Sequence, residues 1–423
     1  MFAHSRLLKY QALSVEFLLL PCVHLSLLGI IQYNKEMLLG FKTEVKPNKE
    51  QLILLSQNAG TARHAWNWGL DLTKQILDHN KSNREEKIKF PTGIDLHKWL
   101  VALVKPEHPW DYESSKCSPQ YALKALAQAW QRCFKKQAGV PKFKKKGRND
   151  SFTLDGSIHV DHRKVKVPKI GWLKTFERLP QGIKPKSVTI SRQANRWFIS
   201  FKIEVDLQPT NKIVDVVGVD LGIKNLATLS TGEVFEGAKS YRYYEKKLSR
   251  MQWLNRRKIP GSNNWKKAQT QIAKLHRRIA NIRQYTLHKL TTYLAKNHGT
   301  VVIEDLNVSG MMANRKLSKA IADMGFYEFK RQLEYKCKLY GSQLVIVDRW
   351  FPSSKTCSNC GHKKEFLSLS ERTFKCESCG FEADRDLNAS LNLAMAVSSA
   401  VTACGVDNAD VATMKQEVFV SKC

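Results

Sequence analysis

The chain has 423 residues, 43% of them hydrophobic and 25% charged. That is length enough for roughly two or three domains with buried cores, and a composition that excludes disordered and fibrous proteins. Lys and Arg number 69 against 38 Asp and Glu, a net charge of +31, which argues against a small-molecule enzyme of ordinary charge and for a polyanionic partner, nucleic acid first.

Residues 12–32 are apolar but carry Glu16, Pro21 and His24, polar groups that a membrane-spanning helix would bury at a cost. Arg6 and Lys9 precede Phe17-Leu-Leu-Leu in the manner of a signal peptide, yet no small-x-small cleavage site is clear. The expectation is that translation begins at Met37 and that residues 1–36 are an extension from a misassigned start. From Met37 the text alternates as a short strand.

Residues 49–77 have helical periodicity, with Leu52, Leu55, Ala59, Ala62, Trp66 and Leu70 at three- and four-residue steps. Residues 79–91 are polar and read as a loop. A second helix is expected over 119–134, where Leu123, Leu126, Ala127 and Trp130 share a face. Together they predict a small helical, helix-turn-helix-like module over about 49–135 with Trp66 and Trp130 in its core. Seven of the fourteen residues 135–148 are basic, interrupted by Pro and Gly with Phe143 interleaved. Lys142, Lys144, Lys145, Lys146 and Arg148 are therefore expected to touch phosphates, the rival being an ordinary solvated face. From 151 to 205 the pattern turns to strands, and 187–192 and 196–203 alternate around a short turn as a hairpin. A β-barrel or a small sheet is expected there.

Residues 241–290 carry 14 Lys and Arg against one acid, Glu245. Leu248, Met251 and Leu254, then Ile272, Leu275, Ile279 and Ile282, keep helical spacing on either side of Pro260-Gly261. Two amphipathic helices in a hairpin are expected, with Arg277 and Arg278 on a basic side. The one-sided charge favours nucleic acid over a coiled-coil partner, which would alternate in sign.

Three acids stand out by context. Val216-Val-Gly-Val-Asp220 and Thr300-Val-Val-Ile-Glu304 are buried-type strands ending at a carboxylate, and Asp384-Arg-Asp386 opens a helix. A strand-end Asp is expensive in a core unless it binds something such as a cation. A strand-end Asp, a strand-end Glu and a helix-borne Asp form the set that a ribonuclease H-like fold uses to hold two divalent cations, Mg²⁺ or Mn²⁺, for phosphodiester cleavage. The plain alternative for Asp384 or Asp386 is a helix N-cap.

Ten cysteines include two Cys-x-x-Cys pairs, Cys357/Cys360 and Cys376/Cys379, with fifteen residues between the pairs. That is zinc-ribbon spacing, and four thiolates leave no open coordination position, so the zinc is expected to be structural. The other six (Cys22, Cys117, Cys133, Cys337, Cys404, Cys423) are scattered, as free thiols are in a reducing, cytoplasmic compartment.

Taken together, Gly218-Val-Asp220-Leu-Gly-Ile-Lys-Asn-Leu-Ala, Ile303-Glu304-Asp-Leu, Ser353-Ser-Lys-Thr-Cys-Ser-Asn-Cys-Gly, Cys376-x-x-Cys379-Gly and Asp384-Arg-Asp-Leu-Asn-Ala-Ser resemble the transposon-encoded TnpB (OrfB) family over roughly residues 37–396. The resemblance implies an RNA-guided DNA endonuclease, a compact relative of type V CRISPR effectors. Its guide RNA would come from the transposon end, and its target would be double-stranded DNA beside a short adjacent motif. It also implies an α/β multidomain fold: a β-barrel with a helical insertion over 37–210, then over 211–396 a ribonuclease H-like (RuvC) nuclease domain. A basic helical hairpin (about 240–298) and a zinc ribbon (about 353–382) would be inserted in the latter, with a tail over 397–423. By this carry-over Asp220, Glu304 and Asp386 are the catalytic triad, Asp386 being preferred to Asp384 because it stands in the Asp-x-Asn-Ala pattern. Departures are the 36 extra residues and Ser390, where Ala is usual. Two rivals remain: an unguided DNA transposase on the same fold, and a zinc-ribbon nucleic-acid-binding regulator with a vestigial nuclease fold.

Overall fold

A computed structural model describes residues 36–83, 85–368 and 370–404. The expectation of a misassigned start concerns residues that, Glu36 apart, lie outside these. The first half of the chain runs β1 (Glu36–Lys46), α1 (Lys49–Ser82), α2 (Gly93–Trp99), α3 (Cys117–Phe134), β2 (Ser151–Asp155), β3 (His159–Asp161), β4 (Lys164–Val167), β5 (Gly171–Thr175), β6 (Ser187–Gln193) and β7 (Arg196–Asp206). A capping box starts α1: Gln51 N–H donates to Asn48 Oδ1 at 2.8 Å and Asn48 N–H to Gln51 Oε1 at 3.1 Å. The helix runs on to Ser82, into the stretch expected as loop. Its polar last turns face outward, and Asn80 pairs with both backbone groups of Ile88, so those polar residues tie down the returning chain.

The strands form an antiparallel sheet in the order β2-β6-β7-β1-β5-β4-β3. The β6–β7 hairpin turns on Ala194 and Asn195, both at positive φ (47° and 66°), the backbone that matches the twist of the flanking strands. The expected β-barrel is corrected here: the edge strands β2 and β3 do not pair, and the sheet is open. Helices cover its apolar face in place of an opposite wall. Leu55, Leu70, Leu123 and Leu126 of α1 and α3 share one core with Leu154, Leu173, Ile190 and Ile199 of the strands, and a sheet so covered has no need to close. The helices meet at Gly69, where a Cβ would come within 2.7 Å of Leu123 Cδ2. Trp130 is buried in this core. Trp66, expected beside it, packs against the edge of this core and stays partly exposed, its Nε1–H donating to the Lys142 carbonyl at 3.1 Å.

The second half adds β8 (Val214–Asp220), β9 (Ala227–Leu229), β10 (Val234–Phe235), α4 (Ser240–Arg256), α5 (Asn263–Asn297), β11 (His298–Glu304), α6 (Val308–Ala313), α7 (Ser318–Met324), α8 (Phe326–Tyr340), β12 (Gln343–Val347), β13 (Thr373–Lys375), β14 (Glu382–Asp384) and α9 (Arg385–Cys404). Its main sheet has the order β10-β9-β8-β11-β12. β8, β11 and β12 are parallel, and β9 and β10 are antiparallel additions. Val217, Val219, Val301 and Ile303 pack with Leu287, Leu290 and Leu294 of α5 and Phe329 and Leu333 of α8. The opposite face carries α9, so both faces are covered, as a parallel sheet requires.

Leu248, Ile272, Leu275 and Ile279 form the seam of the α4–α5 hairpin. Leu254, expected in it, is exposed. The hairpin is anchored by buried Asp323 of α7, whose carboxylate accepts from Ser240 Oγ and from the N–H groups of Tyr241 and Arg242 at 2.9–3.2 Å. A carboxylate at a helix N-terminus is well placed for those free N–H groups. No helix among the described residues is long and apolar enough to cross a membrane.

Candidate active site and metal centre

The strand-end acids come together through register. In the β8–β11 pair Ile303 stands opposite Val219, so Glu304 and Asp220 follow at the same level on neighbouring strands. Alternation turns both toward the face of Gly218 and Val302, away from Val219 and Ile303. That face is where α9 lies. A Cβ on Gly218 would fall 1.9 Å from the Ser390 carbonyl oxygen and 2.7 Å from Ala394 N; only a glycine lets the helix this close. Asp386 precedes Ser390 by one helical turn and Asp220 follows Gly218 by two strand residues. The first turn of α9 therefore carries Asp386 to the end of the sheet where Asp220 stands, close enough for its charge to act on that carboxyl. Ser390, the departure from Ala, is fully buried and its hydroxyl donates to the Leu387 carbonyl at 2.7 Å, so it leaves no unmet polar group.

The electrostatics follow. Burial, then Asp386, then Glu304 push the Asp220 carboxyl up to about 7. Glu304 is raised by burial and by Asp305. The Arg385 charge offsets part of the rise at Asp220. The neighbouring acids differ: Asp305 is held down by Arg349 and Lys330, the latter at 3.1 Å, and Asp386 Oδ1 is 3.3 Å from Arg385. Asp384 Oδ1 accepts from the N–H groups of Asp386 and Leu387 at 2.9 and 3.1 Å. Asp384 is thus the N-cap of α9, and Asp386 is the acid that faces the strands. Beside Glu304 opens a cleft of about 400 Å³ lined by Leu221, Tyr327, Lys330 and Arg349.

Cys357, Cys360, Cys376 and Cys379 bring all four sulfurs within 4.8 Å of one another, a set that could hold one metal ion. Two matching knuckles build it. Gly361 and Gly380, at φ of 75° and 72°, turn the chain so that their N–H groups donate to the Cys357 and Cys376 carbonyls. Fully buried Phe374 packs beneath. The Phe381 N–H and the Asn359 amide lower the Cys379 thiol, favouring the thiolate form that binds metal.

A clamp that the sequence reading missed joins this ribbon to α9. Buried Asn388 donates to the Thr356 carbonyl at 2.7 Å and accepts from Ser358 N–H at 2.9 Å. Asn392, one turn on, donates to the carbonyls of Ser353 and Thr356 at 2.8 and 2.6 Å. Two asparagines four apart on an otherwise apolar helix face are the signal that could have revealed it.

The basic residues divide. Lys142, Lys145, Lys146 and Arg148 are exposed. Their segment is pinned to α1 by Asn67, which exchanges hydrogen bonds with both backbone groups of Lys144. Lys144 itself folds back, its Nζ 4.0 Å from the Trp66 ring centroid, and burial lowers its pKa. On α5, Arg278 is exposed, whereas Arg277 leans over Phe198 of β7 and bridges to the first sheet.

Sequence comparison agrees in extent. A family model described as "Probable transposase" (OrfB_IS605) matches residues 198–315, and one described as "Cas12f1-like, TNB domain" matches 326–393. A "Helix-turn-helix domain" model matches 37–82, residues that fold here as β1 and the single long helix α1. The chain is 36% identical over 386 residues to "Putative RNA-guided DNA endonuclease InsQ" of Escherichia coli K12, covering 86% of this chain and 94% of that protein. It is also 36% identical to a like-named protein of Streptomyces pristinaespiralis over 86% and 90%. The solved mini-RNA-guided endonuclease CRISPR-Cas phi3 is similar over 85% of this chain and 92% of its own, at 10% identity and a TM-score of 0.47. With relatives more than a third identical along almost their whole length, the chain belongs to the transposon-encoded TnpB (OrfB) family.

Proposed function

We propose that this chain is an RNA-guided DNA endonuclease of RuvC type, with Asp220, Glu304 and Asp386 as its catalytic carboxylates. The observation that carries the reading is the convergence just described. Two neighbouring strand ends and the first turn of a helix bring three acids to one end of the sheet, near enough that burial, Asp386 and Glu304 raise the Asp220 carboxyl to about 7. Such repulsion is costly unless a cation relieves it. Oxygen donors suit Mg²⁺ or Mn²⁺, and a pair of such ions supplies, when bound, an activated water and charge for the leaving oxygen. Asp220 and Glu304 would hold the ions from the sheet and Asp386 from the helix, while Asp384 keeps the helix end in place. The sheet order β10-β9-β8-β11-β12, with both acids at the ends of its central parallel strands, supports a ribonuclease H-like core.

The four cysteines fit one structural Zn²⁺, closed to substrate. The excess of positive charge fits a guide RNA from the transposon end and a target DNA duplex. Target sequence would be read mainly by base pairing and by a short adjacent motif.

The test is plasmid cleavage by protein expressed with its native flanking DNA. The expected result is a discrete copurifying RNA ending in a variable segment, and Mg²⁺-dependent cutting that RNase abolishes. Asp220→Ala, Glu304→Ala and Asp386→Ala should each lose cutting by about 10⁴-fold or more with RNA retained. Cutting by all three variants would overturn the assigned site. RNase-insensitive cutting at transposon ends would replace the guide with an unguided transposase.

A further inference from the structure

The outer face of the seven-stranded sheet carries a cluster that none of the roles above uses. Lys46 of β1 stands directly opposite Lys174 of β5, and Lys174 directly opposite Lys164 of β4. Three ammonium groups thus lie in one row across three adjacent strands. One row along, Trp172 faces Lys166, and Phe176 follows β5. All six side chains are exposed, while Val165, Val167, Leu173 and Thr175 between them point into the core. The acids within reach are few: Asp161 lies 3.3 Å from Lys164, and Glu44 is taken up by Arg196.

Like charges directly opposite on a sheet destabilise it, and large aromatics left open to water gain nothing. The lysines lie over the rings instead, Lys46 Nζ 3.9 Å from the Phe176 centroid and Lys164 Nζ 5.2 Å from that of Trp172. An exposed cation–π contact is weaker than a base stacked on the same ring. A ligand offering both flat bases and phosphates would therefore displace the lysines from the rings and take them up as phosphate partners. A regular duplex hides its base faces; an unpaired strand does not.

We propose that this face binds an unpaired stretch of RNA, with bases stacked on Trp172 and Phe176 and phosphates held by Lys46, Lys164, Lys166 and Lys174. The choice of RNA rests on the reading of the chain as an RNA-guided nuclease.

The experiment uses the full chain and two fluorescent probes, a 20-nucleotide oligo(U) RNA and a 20-base-pair DNA duplex, at roughly 0.2 M salt, where non-specific phosphate contacts are weak. Trp172→Ala/Phe176→Ala should weaken oligo(U) binding roughly 30-fold or more and leave duplex binding as it was. Lys164→Gln/Lys174→Gln should lower the slope of log affinity against log salt for oligo(U) by about 1.4. This second variant relieves the lysine row, so it folds whether or not the aromatic one does. Parental oligo(U) affinity and salt slope in both variants would overturn the inference, as would an equal loss on the duplex. Oligo(U) binding needs neither guide nor cleavage. A chain that fails to cut yet shows these losses keeps the inference, and a cutting protein whose variants bind oligo(U) normally overturns it alone.

Discussion

The two sheets of this molecule solve opposite problems. The seven-stranded antiparallel sheet buries one face under α1 and α3 and leaves much of the other open, its lysines and aromatics in rows over β1, β4 and β5 while Arg277 of α5 covers Phe198 of β7. The five-stranded sheet is covered on both faces, by α5 and α8 on one and α9 on the other, and its carboxylates Asp220 and Glu304 stand at strand ends. On the two proposed readings, binding would be spread across a face in the first half and chemistry concentrated at an edge in the second. A substitution should be felt accordingly: broad and shallow in one, narrow and deep in the other.

A pair of glycines breaks the comparison open most sharply. At Gly218 any side chain meets the backbone of α9 at 1.9 Å, while at Gly40 of β1 nothing lies within 4 Å. Gly218→Val should lift α9 off the sheet, cost about 1–3 kcal/mol and abolish cleavage, because Asp386 rides on the displaced turn. Gly40→Ala should leave cleavage intact and gain about 0.5–1 kcal/mol, the ordinary benefit of replacing a strand glycine. Denaturant melts and a cleavage assay on both variants check this. Full cleavage by Gly218→Val would mean that the close approach does not set the position of Asp386.

Next in size is the clamp between ribbon and helix. Asn388→Ala leaves Ser358 N–H without its partner and removes one of two ties to Thr356. Cleavage should fall on the order of 10–100-fold, as when a group that orients a metal ligand is lost. If the four cysteines hold a metal, stripping it with a chelator should reproduce the loss in the parent protein and add little to it in the variant, since both loosen the same helix. Additive losses would separate the ribbon from the active site.

How much of this was legible in the sequence differs between the halves for the same reason. In a strand buried on both sides, Val216-Val-Gly-Val-Asp220 makes its terminal acid conspicuous, and the cysteine spacing announces itself without any fold. The open sheet hides its sites, because a lysine at every second position is what any solvated face looks like. Only register shows that Lys46, Lys174 and Lys164 stand in one row. Barrel closure was likewise not written in the alternation of single strands; it depends on what covers the apolar face, and here α1 and α3 do. Trp66 has helical spacing with its core neighbours but lies at the rim of the apolar stripe, where the Lys142–Lys144 segment docks on it. Asp386 stood out from Asp384 in the text only by the Asp-x-Asn-Ala pattern of the resemblance, and the cap hydrogen bonds supply the physical difference.

The smallest effect follows from the cost of the edge site itself. The Asp220 carboxyl is raised from 3.8 to about 7 by burial and by the neighbouring acids. Below pH 3.8 it is protonated in both folded and unfolded chains and carries no penalty. As pH rises toward 7 the unfolded chain gives up this proton first, so folding stability falls through that window, and above about 7 the loss is fully expressed. Asp220→Asn removes the charge and with it the window. In metal-free buffer at pH 8 the variant should melt several degrees above the parent, and at pH 3 the two should coincide. Mg²⁺ should close the gap at pH 8 by stabilising the parent alone, while the variant gains nothing and cannot cut. A variant no more stable than the parent at pH 8 would show that the three acids are already relieved by some other partner, and would remove the electrostatic reason for placing cations among them.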